Sequence, residues 1–131
     1  MEGEKNLAVL LKTMKPVLNE GRFVFCNMNN LNSISLDKIL FFFKEDEGQT
    51  IVLRQEEADH LGLKYSYISS WITLKVHSSL EAVGLTAAFS NALSKEGISC
   101  NVVAAYFHDH IFVDQKDADK AIEILRKFEE D

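Results

Sequence analysis

At 131 residues the chain has the length of one compact domain, or of two very small ones sharing a core. Hydrophobic residues at 47% and charged residues at 26% exclude a disordered chain, and this length buries a sizeable core without disulfides or a structural metal. A net charge of -6, with the basic residues outnumbered and scattered, argues against a phosphate-backbone partner and hence against nucleic acid.

No charged-then-apolar leader opens the sequence and no apolar run approaches membrane-spanning length. The expectation is a soluble, cytoplasmic protein without membrane contact. Cys26 and Cys100 lie far apart in apolar runs and match no metal-ligand spacing. They read as buried free thiols in a reducing compartment, with no metal and no cofactor implied.

In chain order, residues 1–5 read as a solvated tail. Leu7, Leu10, Leu11, Met14 and Leu18 then form an apolar stripe behind Asn6, and Pro16 predicts a kink or an early end to that helix. Residues 23–26 follow Gly21 as a strand. Residues 27–43 begin with the turn-prone Asn27-Met28-Asn29-Asn30 and end with Phe41-Phe42-Phe43, and residues 39–44 are a candidate sheet element. Lys44-Glu45-Asp46-Glu47-Gly48 reads as a solvated β-turn into a strand at 50–53. A short helix from Glu56 to about Leu61 stops at Gly62.

The second half is clearer. Trp71, Thr73, Lys75 and His77 alternate with Ile72, Leu74 and Val76 over a long strand. Leu85, Ala88, Phe89, Ala92 and Leu93 make one helical stripe, ended by Gly97. Residues 99–106 and 111–113 read as a hairpin around Phe107-His108-Asp109. Ala118, Ala121, Ile122, Leu125 and Phe128 predict a last helix, with Asp114 or Asp117 as N-cap. The order β-α-β-β-α is that of a split βαβ arrangement.

The halves resemble each other. Gln55, Ala58 and Asp59 match Gln115, Ala118 and Asp119 at a constant offset of 60, and Glu20-Gly21 matches Glu96-Gly97. Each half reads helix, Glu-Gly, strand, strand, Gln-x-x-Ala-Asp helix, and the order of elements carries more weight than the identities. The first copy has the insert around 27–43 and no visible strand ahead of its helix.

The run from Trp71-Ile72-Thr73-Leu74-Lys75-Val76 through Ala87-Ala88-Phe89, continued by Gly97-Ile98-Ser99-Cys100-Asn101-Val102 and Ile111-Phe112-Val113, resembles an ACT domain. With Met14-Lys15-Pro16-Val17 and Glu45-Asp46-Glu47-Gly48 the chain resembles the small bacterial tandem ACT proteins related to the regulatory part of aspartate kinases. The resemblance implies an α+β fold of two ferredoxin-like (βαββαβ) modules packed together, an irregular one at 1–64 and a more complete one at 65–131. It further implies a non-catalytic, regulatory protein that binds an amino-acid-type metabolite. A homodimer is expected, and the regulated enzyme, if any, is unknown. On this sequence the ligand-facing positions carried over are His77, Ser78, Ser79, Val83, Gly84, Leu85, Asn101 and Asp109.

The residues themselves allow plainer readings. Ser78-x-x-Glu81 is a capping-box pattern that starts a helix, with Gly84 in its first turn; a helix N-terminus suits a carboxylate, yet on the residues alone a capped helix with a packing glycine is the preferred reading, and only the resemblance reverses that preference. His108-Asp109-His110 lacks third and fourth metal donors and reads as polar residues at a hairpin tip, Asp109 being the better partner for a ligand's ammonium. Glu45 or Glu47 are weaker candidates for that role. An acylphosphatase-like hydrolase needs a phosphate-cradling arginine that His77-Ser78-Ser79 does not supply, and no serine or cysteine has a placed base. A structural or protein-interaction module with a vestigial pocket is the other alternative.

Overall fold

The computed structural model describes residues 6–76 and 82–130. The chain forms two compact units: residues 21–69, and residues 70–131 together with the N-terminal 20. The repeat boundary at 64/65 is a statement about sequence copies, whereas these units follow spatial packing.

In the larger unit, helix α1 (Leu7–Thr13) begins at Asn6, whose side chain accepts from the Val9 N–H. It stops at Thr13, and Met14 donates its N–H to Leu10 at 2.9 Å to close the last turn. The stripe from Leu7 to Leu18 is therefore not one helix. A residue preceding proline is pushed out of the helical region, and the early end anticipated from Pro16 is what forms. Lys15–Leu18 becomes strand β1, antiparallel to β5 (Ile68–Lys75) with Pro16 opposite Leu74. A proline is tolerated there because, among the described residues, β1 has β5 on one side and no strand on the other.

The sheet order in this unit is β1-β5-β7-β6, with β6 at Asn101–Ala104 and β7 at Asp109–Asp114. A βαββαβ module places its fourth strand beside its first. Here β5, α3 (Leu85–Lys95), β6, β7 and α4 (Ala118–Arg126) supply five elements, and β1 fills the fourth-strand position from the other end of the chain. Ile72, Leu74, Ile111 and Val113 point from one sheet face into a core shared with Leu10 and Met14, with Leu85, Phe89 and Leu93 of α3, and with Ala121, Ile122 and Leu125 of α4. Burying each large apolar side chain there stabilises by about 1.5–3 kcal/mol. Gly97 ends α3 with φ 74°, as expected. Asp114 caps a 3-10 turn at Gln115–Asp117, and Asp117 occupies the N-cap of α4 without a side-chain bond.

In the smaller unit, β2 (Phe23–Met28), β3 (Ile39–Glu45) and β4 (Gly48–Arg54) order as β3-β4-β2, and the first residues of β5 pair with β2. This is again the βαββαβ strand order. Between β2 and β3, where a full module has its first helix, there is a single 3-10 turn at Leu36–Lys38. Helix α2 (Gln55–His60) leads back toward β5. Val24, Cys26, Ile34, Ile51, Leu53 and Ala58 form the core. The α+β class and the two-module architecture expected from the sequence are those observed.

Candidate functional site

The segment leading into α3 carries most of the expected ligand-facing positions. His77, Ser78, Ser79 and the Ser78-x-x-Glu81 pattern lie outside the described residues. From Val83 onward the geometry is defined. Gly84 has φ 95° and ψ -13°, and it is the N-cap of α3 rather than part of its first turn. The left-handed conformation costs glycine little and any side-chain residue more. A Cβ here would also meet Leu7 Cδ2 of α1 at 3.2 Å. Among the described residues no side chain caps α3, and the Ala88 N–H makes its bond to the Gly84 carbonyl at 2.9 Å. Val83 is 83% exposed, while Leu85 is buried in the core, so the two flank the glycine with opposite roles.

Asn101 and Asp109 sit on the β6–β7 hairpin. Asn101 is exposed, and its amide Nδ2 donates to the Phe112 carbonyl at 3.4 Å. Asp109 faces Ala104 in register and is 6% exposed. Burial pushes its carboxyl above the ordinary range, partly offset by His108. No hydrogen bond among the described residues links Asn101 or Asp109 to residues 82–85. The helix-entry and hairpin members of the carried-over set thus make no direct hydrogen bond to each other among the described residues.

The sequence reading missed a third group, on the sheet face opposite the helices. Trp71 and Thr73 on β5, His110 on β7, and Asn19 just past β1 form one hydrogen-bonded network. Trp71 Nε1 donates to His110 Nδ1 at 3.0 Å, and Thr73 Oγ1 lies 3.2 Å from the same nitrogen. Asn19 Nδ2 donates to Thr73 Oγ1 at 2.9 Å and to the Trp71 carbonyl at 3.2 Å. Burial, reinforced by His108, pushes the His110 imidazole below its ordinary range. His108 Nδ1 is buried without a hydrogen-bond partner among the described residues. The only signal in the sequence was the two-residue alternation that put Trp71 and Thr73 on one face.

Among the described residues no three His, Cys, Asp or Glu side chains converge as metal ligands, and no helix is long and apolar enough to cross a membrane. Both cysteines are free thiols; burial raises Cys26 and pushes Cys100 up to about 11, which keeps each protonated at neutral pH. The exposed carboxylate Glu45 is engaged by the Thr50 hydroxyl.

Two family models match in tandem, an ACT domain at residues 2–70 and a second ACT domain at 66–127. A search of curated proteins returns no match. Among solved structures, a Vibrio cholerae protein of unknown function, described as a possible transport protein, is 48% identical over 95% of this chain and 97% of its own, with a TM-score of 0.85. An Agrobacterium tumefaciens protein matches at 17% identity over 88% of this chain and 89% of its own, with a TM-score of 0.66. The ligand-free regulatory subunit of aspartate kinase from Thermus thermophilus matches at 7% identity over 89% and 97%, with a TM-score of 0.59, a likeness of fold. The chain belongs to the ACT-domain family, as two ACT modules in tandem.

Proposed function

We propose that this protein is a non-catalytic regulatory module that binds an amino-acid-type metabolite where the chain enters α3. The observation that carries this reading is the start of α3 itself. An eleven-residue helix opens on a left-handed glycine, with no capping side chain among the described residues. Its first-turn N–H groups and the positive end of its dipole suit a carboxylate. Asp109, the buried carboxylate of the hairpin, is the proposed partner for the ligand's ammonium. His77, Ser78, Ser79, Val83, Leu85 and Asn101 complete the proposed surroundings. A cytoplasmic homodimer that reports ligand to a separate enzyme is the working arrangement.

A thermal-shift screen of the twenty amino acids and their nucleotide derivatives at millimolar concentration tests this reading. A ligand that binds the folded state raises the melting temperature by mass action. One chemical class is expected to raise it in the wild type and to leave Asp109→Asn unmoved. A flat screen would sink the binding proposal and favour a structural or protein-interaction module with a vestigial pocket.

A further inference from the structure

The network around His110 has a chemical property that the proposed ligand site does not use. An indole N–H is a donor and never an acceptor. The 3.0 Å contact from Trp71 Nε1 therefore requires a lone pair on His110 Nδ1, and the neutral ring must carry its proton on Nε2. Thr73 Oγ1 sits 3.2 Å from the same nitrogen. Because Thr73 Oγ1 already accepts from Asn19 Nδ2, it has one further lone pair and one proton to place.

We propose that His110 is a proton-operated switch that sets the position of Trp71 on the sheet face. When Nδ1 takes a proton from solvent its lone pair becomes an N–H bond, and a donor then faces the indole donor. Turning the ring does not help, since both nitrogens of an imidazolium are donors. Thr73 Oγ1 can reverse its role and accept from the new Nδ1–H, whereas Trp71 has no such option toward His110. The acid form keeps an Asn19–Thr73–His110 chain and drives the indole away from the ring it now contacts at 5.7 Å between centroids.

The surroundings bias the switch toward the neutral form. His108 lies 6.5 Å from His110 between ring centroids. By strand alternation Lys75 of β5, and Lys15 opposite it on β1, share the Trp71–Thr73 side of the sheet, and Asp114 shares the His110 side of β7. Val103, opposite His110 on β6, is uncharged. Asp109 alternates to the other face. Burial first, and then the neighbouring His108, favour uncharged imidazole. The transition is expected below the ordinary histidine value of 6.5.

Trp71 is the chain's single tryptophan, so its fluorescence reads the switch directly. Titration of the full chain from about pH 8 to about pH 4 should show one transition in emission wavelength and intensity, with far-UV ellipticity unchanged through it. In His110→Gln, whose carbonyl accepts the indole N–H but does not titrate, the transition should vanish. In His108→Gln it should persist with its midpoint raised. Imidazole 15N shifts of the wild type supply a readout independent of any variant, and should show Nδ1 unprotonated at neutral pH. A transition that survives in His110→Gln, one that coincides with loss of ellipticity, or a protonated Nδ1 at neutral pH would each overturn the proposal.

Discussion

The two units share a strand order and differ in what covers the sheet. In the larger one, three helices close over Ile72, Leu74, Ile111 and Val113, and Phe89 and Leu125 are fully buried between the layers. In the smaller one, a 3-10 turn replaces the first helix, and Ile34, assisted by Leu31, fills part of the space a helix would occupy. A helix presents an apolar residue about every turn along its length, whereas a loop must also satisfy its own polar backbone and offers fewer. The same topology thus holds with a much smaller core when one helix is lost. The uncapped helix end proposed for ligand exists in the larger unit alone, because the smaller unit has no helix at the equivalent place.

The largest test of this contrast is truncation of the cores. Phe89→Ala should cost about 3–5 kcal/mol, and Ile34→Ala, at a site already slightly exposed, about 2 kcal/mol. Urea denaturation of the two variants measures both, and equal losses would break the contrast. A smaller difference is expected at two left-handed glycines. Gly84→Ala should cost about 1–3 kcal/mol, since strain adds to the Leu7 contact; Gly62→Ala, with open space around it, should cost about 1 kcal/mol. If Gly62→Ala proves the worse, the close approach of α1 to the entry of α3 is not what requires glycine there.

The smallest effect concerns Asp109, which has no buried acidic counterpart in the smaller unit. Its folded-state carboxyl binds protons more readily than the unfolded one, because burial disfavours the charge. Its contribution to stability is therefore full below the ordinary carboxylate value of 3.8 and is lost as pH rises through the raised folded value. Asp109→Asn should melt a little higher than wild type at neutral pH, and the gain should vanish in acid. Differential scanning calorimetry at both pH values checks the sign. A lower melting temperature at neutral pH would mean that the attraction to His108 outweighs the burial.

Much of the fold was legible from periodicity. The stripes on α3 and α4, the stop at Gly62 and the β6–β7 hairpin all depend on residues close in sequence, where pattern and backbone preference coincide. The turn at Asp46-Glu47 and the early end before Pro16 were legible for the same reason. Residues 15–18 were not, because Lys-Pro-Val-Leu continues a helical apolar stripe. Its strand character comes from pairing with Thr73 and Leu74, almost sixty residues away.

The candidate site divides along the same line. Local pattern was enough to put a glycine near the start of a helix, a carboxylate at the hairpin tip, and two unequal βαββαβ-like copies in the chain. Each of these is a local property. Packing of distant segments is what brings β1 in from the far end of the chain to complete the larger unit, sets Gly84 against Leu7, and lets Trp71 donate to His110. Those contacts follow from which strands and helices become neighbours, and that choice is made by burial of whole faces rather than by any short run of residues.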